Sequence, residues 1–307
     1  MNGVVALGRH AGPFLDEPVH VVHVDPDAVL DDLAALHEVV AEQLALQPSI
    51  VVVYPDRLGD APARALSTVR TALGAAPVLW HATRLPQLAA DVLVTLAGAL
   101  HGPLGGVAEV AAALPVLESQ LVHLTWLPTV SGLTEPSPSV VQHARSALPG
   151  ASWLVTSWPD PAVRRLTADD PPPLPRPAQP IGVALADLDG ERRWVVDLVG
   201  PQLPDAAGVE VDPPADSARW WGAKRVTQVV LYPRSIEALA QALRPHIDPG
   251  PCAWCRRWVG SAECPWCALP RSGAPRQEVA GGTSDGVVFA GAEGTGGAAG
   301  GEEAVTR

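Results

Sequence analysis

All four cysteines of the chain fall in one short stretch, as Cys252-Ala-Trp-Cys255 and Cys264-Pro-Trp-Cys267. Two C-x-x-C knuckles can bring four thiolates to one point as a tetrahedron, the geometry in which Zn²⁺ is held as a closed structural site. Two disulfides are the alternative for clustered cysteines. No signal peptide is visible and no cysteine lies elsewhere, so a reducing, cytoplasmic setting and a bound zinc are expected. A redox pair would open a helix behind a strand, whereas these cysteines follow Pro249-Gly-Pro251.

The knuckles are closer together than the commoner ribbon spacing. Over Pro251–Leu269 the sequence resembles the short zinc ribbons appended to bacterial proteins, a resemblance that carries no activity. Trp254, Arg256, Arg257, Trp258 and Trp266 lie in the same stretch. They suit packing over a module with little other core, and secondarily contact with a protein or, through stacking on bases, a nucleic acid.

A second set of reactive side chains falls at the ends of predicted strands, where α/β sheets bind ligands. These are Asp25 and Asp27; Tyr54 and Asp56; His81, Thr83 and Arg84; Thr129 and Ser131; Ser157 and Asp160. Asp25, Asp56, His81, Arg84 and Ser157 are the candidates for a ligand pocket with acid–base chemistry. Polar residues also stand at strand ends simply because the chain is leaving the core there. His20 and His23 would point to opposite faces of a strand and cannot share a metal. His101-Gly-Pro-Leu-Gly-Gly106 follows a helix, so it reads as a helix–helix turn rather than an anion loop. No G-x-S-x-G elbow is present. Lys224 is the single lysine, which excludes a P-loop and confines Schiff-base chemistry to one position. Trp220-Trp221-Gly-Ala-Lys224-Arg225 reads as an edge strand with cation–π packing, or as a contact patch.

The elements that would carry these residues divide the 307-residue chain unevenly. Residues 1–157 hold 6 Arg against 14 Asp and Glu, whereas residues 181–278 hold 11 basic and 12 acidic groups. The net charge of -12 argues against a chain-wide nucleic-acid binder. No apolar run is long enough for a membrane helix. Uniformly apolar segments at 19–24, 49–54, 77–81, 121–127 and 152–157 predict strands covered on both faces. Amphipathic helices alternate with them, which predicts an α/β domain over residues 1–160: a mostly parallel sheet with helices on both faces. Six prolines between Asp169 and Pro180 predict an extended linker over 161–180. Residues 181–248 read as a small α+β module. In it, Ile181–Leu188 and Arg192–Val199 flank an Asp189-Gly190 hairpin turn, and Ser235 caps a helix. A zinc ribbon at 249–271 and a disordered Gly/Ala-rich tail at 272–307 complete the chain.

With no complete catalytic motif, the favoured reading is a zinc-ribbon adaptor or assembly protein whose partner is a protein. The alternative is a cytoplasmic α/β enzyme acting on a small molecule or nucleotide at the carboxyl ends of the first domain's strands.

Overall fold

The computed structural model describes residues 3–8, 14–16, 18–19, 21–146, 151–167, 173–174, 177, 180–267 and 269–271. The expected tail at 272–307 and most of the proline run lie outside them.

Four short apolar segments make the first sheet: β1 (Val4–Leu7), β2 (Val22–Val24), β3 (Ile50–Pro55) and β4 (Val78–Thr83). All pair in parallel, in the order β2-β1-β3-β4. Alternation along the strands sends two apolar sets to opposite faces. Val5, Leu7, Ile50, Val52 and Val78 meet Val29 of α1 (Pro26–Leu30), Leu36 and Val40 of α2 (Leu33–Leu46) and Leu66 and Val69 of α3 (Ala61–Ala72). Asp32 caps α2 by accepting from the amides of Ala34 and Ala35. Val4, Ala6, Val51, Val53 and Leu79 turn the other way, onto α4 (Gln87–Leu104) and α5 (Val107–Ser119). The α/β class, with a parallel sheet covered on both faces, is therefore as the apolar runs predict. The His101–Gly106 segment makes the expected helix–helix turn: Gly105 and Gly106, at φ 111° and 153°, adopt backbone conformations that other residues resist.

The second sheet corrects the sequence reading. Its order is β7-β6-β5-β10-β8-β9, built from β5 (Val122–Leu127), β6 (Trp153–Trp158), β7 (Ala162–Arg165), β8 (Ile181–Leu188), β9 (Ala207–Val211) and β10 (Val226–Pro233). β5 and β6 were expected in the parallel sheet of residues 1–160. Instead β10 inserts antiparallel between β5 and β8, so segments from both sides of the proline run share one sheet. Residues 1–160 and 181–248 are thus not separate modules. Nor is 161–180 a free spacer. Ala162–Arg165 pairs with β6, and Leu174 is buried against Leu198 and Leu231. The physical reason is that β5 is buried along its whole length, as β3 is, and burial alone does not say which partner supplies it.

α4, α5 and α9 (Ile236–Leu243) form the layer between the sheets, where Leu93, Leu114 and Leu239 join Ala184 and Val230 in one core. Ser235 caps α9 as expected, accepting from the Ala238 amide. The outer face of the second sheet is closed by Trp194, Leu198, Val199 and Leu203. These lie in or beside a π-helical turn (Val195–Val199) and the one-turn helix α7 (Gly200–Gln202), which follows α6 (Val140–Ser146) in the chain. The expected Asp189-Gly190 hairpin is therefore absent. β8 already has β10 and β9 on its two edges, and Asp187 takes up the turn by accepting from the Gly190 amide, Thr227 and Arg192. Trp220 and Trp221 lie on a short helix, α8 (Ser217–Trp221), and not on an edge strand.

Candidate functional site

The parallel strands of the first sheet all point their carboxyl ends the same way, and a cleft runs along those ends. Gly8 follows β1 and Asp25 follows β2. Asp56 and Arg57 stand in a 3₁₀ turn after β3, and Arg84 follows β4. Across from them is the segment leading into α8, with Pro214, Asp216, Arg219 and Trp220. The far end is closed by Glu135 and Pro136, which follow β5, and by Ser157 and Trp158 of β6. Three adjoining cavities of about 380, 430 and 270 Å³ fill the space. Asp25, Gln87 and Arg219 line the first, Asp56, Thr83 and Arg84 the second, and Ser157, Trp158 and Pro161 the third. Arg57 is common to the first two, and Arg84 and Trp220 to the last two.

The walls are held by specific contacts. Arg57 bonds Asp216 at 3.1 Å and lies 4.7 Å over the Trp220 ring, tying the strand end to α8. Arg84 reaches Asp56 at 3.3 Å, an exposed pair that contributes little to stability. Behind the first cavity, Gln87 donates to Asp91 Oδ1 at 2.8 Å. Asp91 is 1% exposed and its Oδ2 has no partner. Burial pushes its carboxyl well above the usual range, against the Gln87 bond. Behind the third cavity, His123 of β5 is fully buried and its ring stacks 5.5 Å from Trp221. Burial lowers its pKa to about 3, opposed by the Gln228 side chain.

Four of the five side chains proposed from sequence, Asp25, Asp56, Arg84 and Ser157, line this cleft. His81 does not: it turns toward α5 and bonds Glu118 at 3.0 Å. Arg57, Gln87, Asp216, Arg219 and His123 were missed. Arg57 and Gln87 adjoin strand ends and carried a positional signal. Asp216 and Arg219 carried none, since only the fold of the second sheet brings residues 212–221 across. His123 sits mid-strand among apolar neighbours and gives no outward sign.

The second site is the cysteine cluster. The four Sγ atoms lie within 4.8 Å of one another, close enough to hold a metal ion. A short pairing of β11 (Gly250–Pro251) with β12 (Trp258–Val259) frames the first knuckle. Arg256 takes a left-handed φ of 62°, which lets the chain turn back so that its amide bonds the Cys252 carbonyl at 3.0 Å. The backbone amides of Cys255 and Trp254 bring the Cys252 thiol pKa down to about 6, against its burial. The ribbon docks at the end of the first sheet opposite the cleft. Arg257 donates to the Ala75 carbonyl at 2.6 Å, Arg70 donates to the Trp266 carbonyl at 2.7 Å, and Trp258 donates to Glu109. Arg70 and Arg257 lie 5.3 and 5.2 Å from the centre of the Trp266 ring.

No protein-family pattern matches the chain, and no curated protein matches it by sequence. Solved structures do match in fold. A stearic-acid-binding protein from Eubacterium ventriosum superposes with a TM-score of 0.56 at 11% identity, covering 78% of this chain and 100% of that one. A DegV family protein from Eubacterium eligens, loaded with heptadecanoic acid, gives 0.51 at 11% identity, covering 76% and 100%. A DegV family protein from Ruminococcus gnavus, refined with vaccenic acid, gives 0.50 at 11% identity, covering 75% and 99%. The fold is DegV-like. This corrects the adaptor reading: the proteins that share the architecture are described with fatty acids, a small-molecule ligand class, and not as protein-docking scaffolds. Among the described residues no helix is long and apolar enough to cross a membrane.

Proposed function

We propose that the chain binds a small amphipathic acid, of the long-chain fatty-acid class, in the cleft along the carboxyl ends of β1–β4. One observation carries the reading. In a DegV-like fold, the cleft places Arg57, Arg84 and Arg219 beside Trp158, Trp220 and Pro136, so cationic and apolar surfaces share one concavity. Ligand pockets of about 300–1,000 Å³ with a few convergent polar groups are the usual form of such sites. The arginines would take the carboxylate through charge-assisted hydrogen bonds. The indoles and prolines would take the first methylenes of the chain. Zn²⁺ is the ion proposed for Cys252, Cys255, Cys264 and Cys267, since four thiolates match its preferred closed tetrahedron.

Trp158 and Trp220 make the test direct. Titrating purified protein with stearate should change tryptophan emission saturably, and a nucleotide panel should not. Replacing Arg84 with Ala removes one hydrogen bond to a charged group, about 1.5–3 kcal/mol, so affinity should weaken about 10- to 150-fold. Stearate that fails to bind, or that binds Arg57→Ala and Arg84→Ala variants as tightly as the unmodified chain, would overturn the reading.

A further inference from the structure

The third cavity contains a group that a carrier of free acids does not need. Ser157 Oγ lies 2.6 Å from His123 Nδ1. The ring's other nitrogen, Nε2, is buried with no hydrogen-bond partner among the described residues. In the Nε2–H tautomer Nδ1 carries the lone pair, the Ser157 hydroxyl donates to it, and the serine oxygen's lone pairs remain for the cavity. Trp221 holds the ring by stacking at an interplanar angle of 2°. No charged side chain bonds the imidazole. The charged groups of the cavity are Arg84 and Glu135.

The geometry points to Ser157 as a nucleophile and His123 as its general base, acting on an acyl ester or thioester that enters the same cleft. Nucleophile and base lie within hydrogen-bond reach, and the base is held in place by the stacked Trp221 ring. In the first step the Ser157 O–H bond breaks and its proton passes to His123 Nδ1. The Ser157 oxygen bonds the acyl carbon, the bond from that carbon to the alcohol or thiol breaks, and the leaving group departs with the proton from His123. Water then attacks the acyl-serine, His123 takes a proton from it, and the serine is regenerated as the carboxylic acid leaves. Arg84 is the cation available to the tetrahedral oxyanion. Burial holds His123 in its neutral form. The inference shares the cleft with the binding reading but concerns acyl esters, not free acids.

The test uses the full chain with p-nitrophenyl decanoate and, separately, an alkyl fluorophosphonate. A burst of p-nitrophenol is expected, together with one decanoyl or phosphonyl group on the peptide carrying Ser157, read by mass spectrometry after an acid quench. Ser157→Ala should abolish the modification. His123→Asn should slow it about 100-fold or more, the usual contribution of a general base. Should His123→Asn not fold, as a melt by circular dichroism would show, the mass of the wild-type peptide still decides. Absence of modification at Ser157, modification elsewhere only, or a folded His123→Asn chain reacting at the wild-type rate would each overturn the dyad. Stearate bound without acylation sinks the dyad alone. Acylation of Ser157 without stearate binding supports the dyad and overturns the free-acid reading.

Discussion

Removing the metal should loosen far more than the ribbon. Trp258, Trp266 and Arg257 reach the main body only while the knuckles hold their shape, and the ribbon's own apolar core is little more than Val259 and Trp266 beside the cysteines. Unfolding it forfeits hydrogen bonds to the body, among them Arg257 to Ala75, Arg70 to Trp266 and Trp258 to Glu109. Each of these three has a charged member, and discounted for their partial exposure they together contribute about 3–5 kcal/mol net. The arginines over the Trp266 ring add about 0.5–1 kcal/mol each where exposed. A loss of about 4–7 kcal/mol in a body of this size lowers Tm by roughly 8–28 °C. The assay is calorimetry of the Zn²⁺-loaded and chelated protein, with Co²⁺ substitution to follow thiolate ligation by its absorption. Cys255→Ser should reproduce the chelated melt. A chelated protein whose thiolate–Co²⁺ band is lost but whose body melts within about 2 °C of the loaded form would show that docking carries none of this energy. Well under one zinc per reduced chain would refute the ion itself.

Gly222 sits at φ 59°, and a Cβ there would meet the Gly132 carbonyl at 2.2 Å. Gly222→Ala should therefore cost about 2–4 kcal/mol in urea denaturation, from backbone strain plus a clash that no side-chain motion relieves. Asp91→Asn should stabilise the chain at neutral pH. Folding raises the Asp91 pKa, so the wild type should lose stability as pH climbs from the unfolded value toward the folded one, and the Asn variant should lack that slope. Equal pH slopes for the two chains would contradict the burial argument.

Much of the scaffold is readable in sequence because β3 is a uniformly apolar run and helices such as α3 bury one stripe at helical spacing. β1 escaped notice, since Val4–Leu7 is only four residues and lies ahead of the first amphipathic helix. The misassignment of β5 and β6 has a different origin. Whether a buried strand pairs in parallel or antiparallel depends on its partners, and for β5 one of these is β10, about a hundred residues further on, so no local period encodes that choice. The same long-range closure hides half of the cleft. Asp25, Asp56 and Arg84 follow from strand ends, whereas Asp216, Arg219 and Trp220 come opposite them only because α8 is folded over by the β10 pairing. The cysteine cluster was legible for the opposite reason: its four cysteines lie close in sequence, so spacing alone brings them together.

The position of β10 has a consequence for how the chain is made. The first sheet and its covering helices are complete once residue 119 has left the ribosome. The second sheet then waits. β5 and β6 emerge with one edge each open, and the strand that closes β5 is not finished until Pro233. For about a hundred residues of synthesis, several seconds or more at typical elongation rates, an apolar strand edge stands without its neighbour. Such an edge recruits any extended segment nearby, including its counterpart on another nascent chain. The interval between translation of β5 and of β10 is therefore when this protein is most exposed to aggregation, and chaperone dependence should concentrate there.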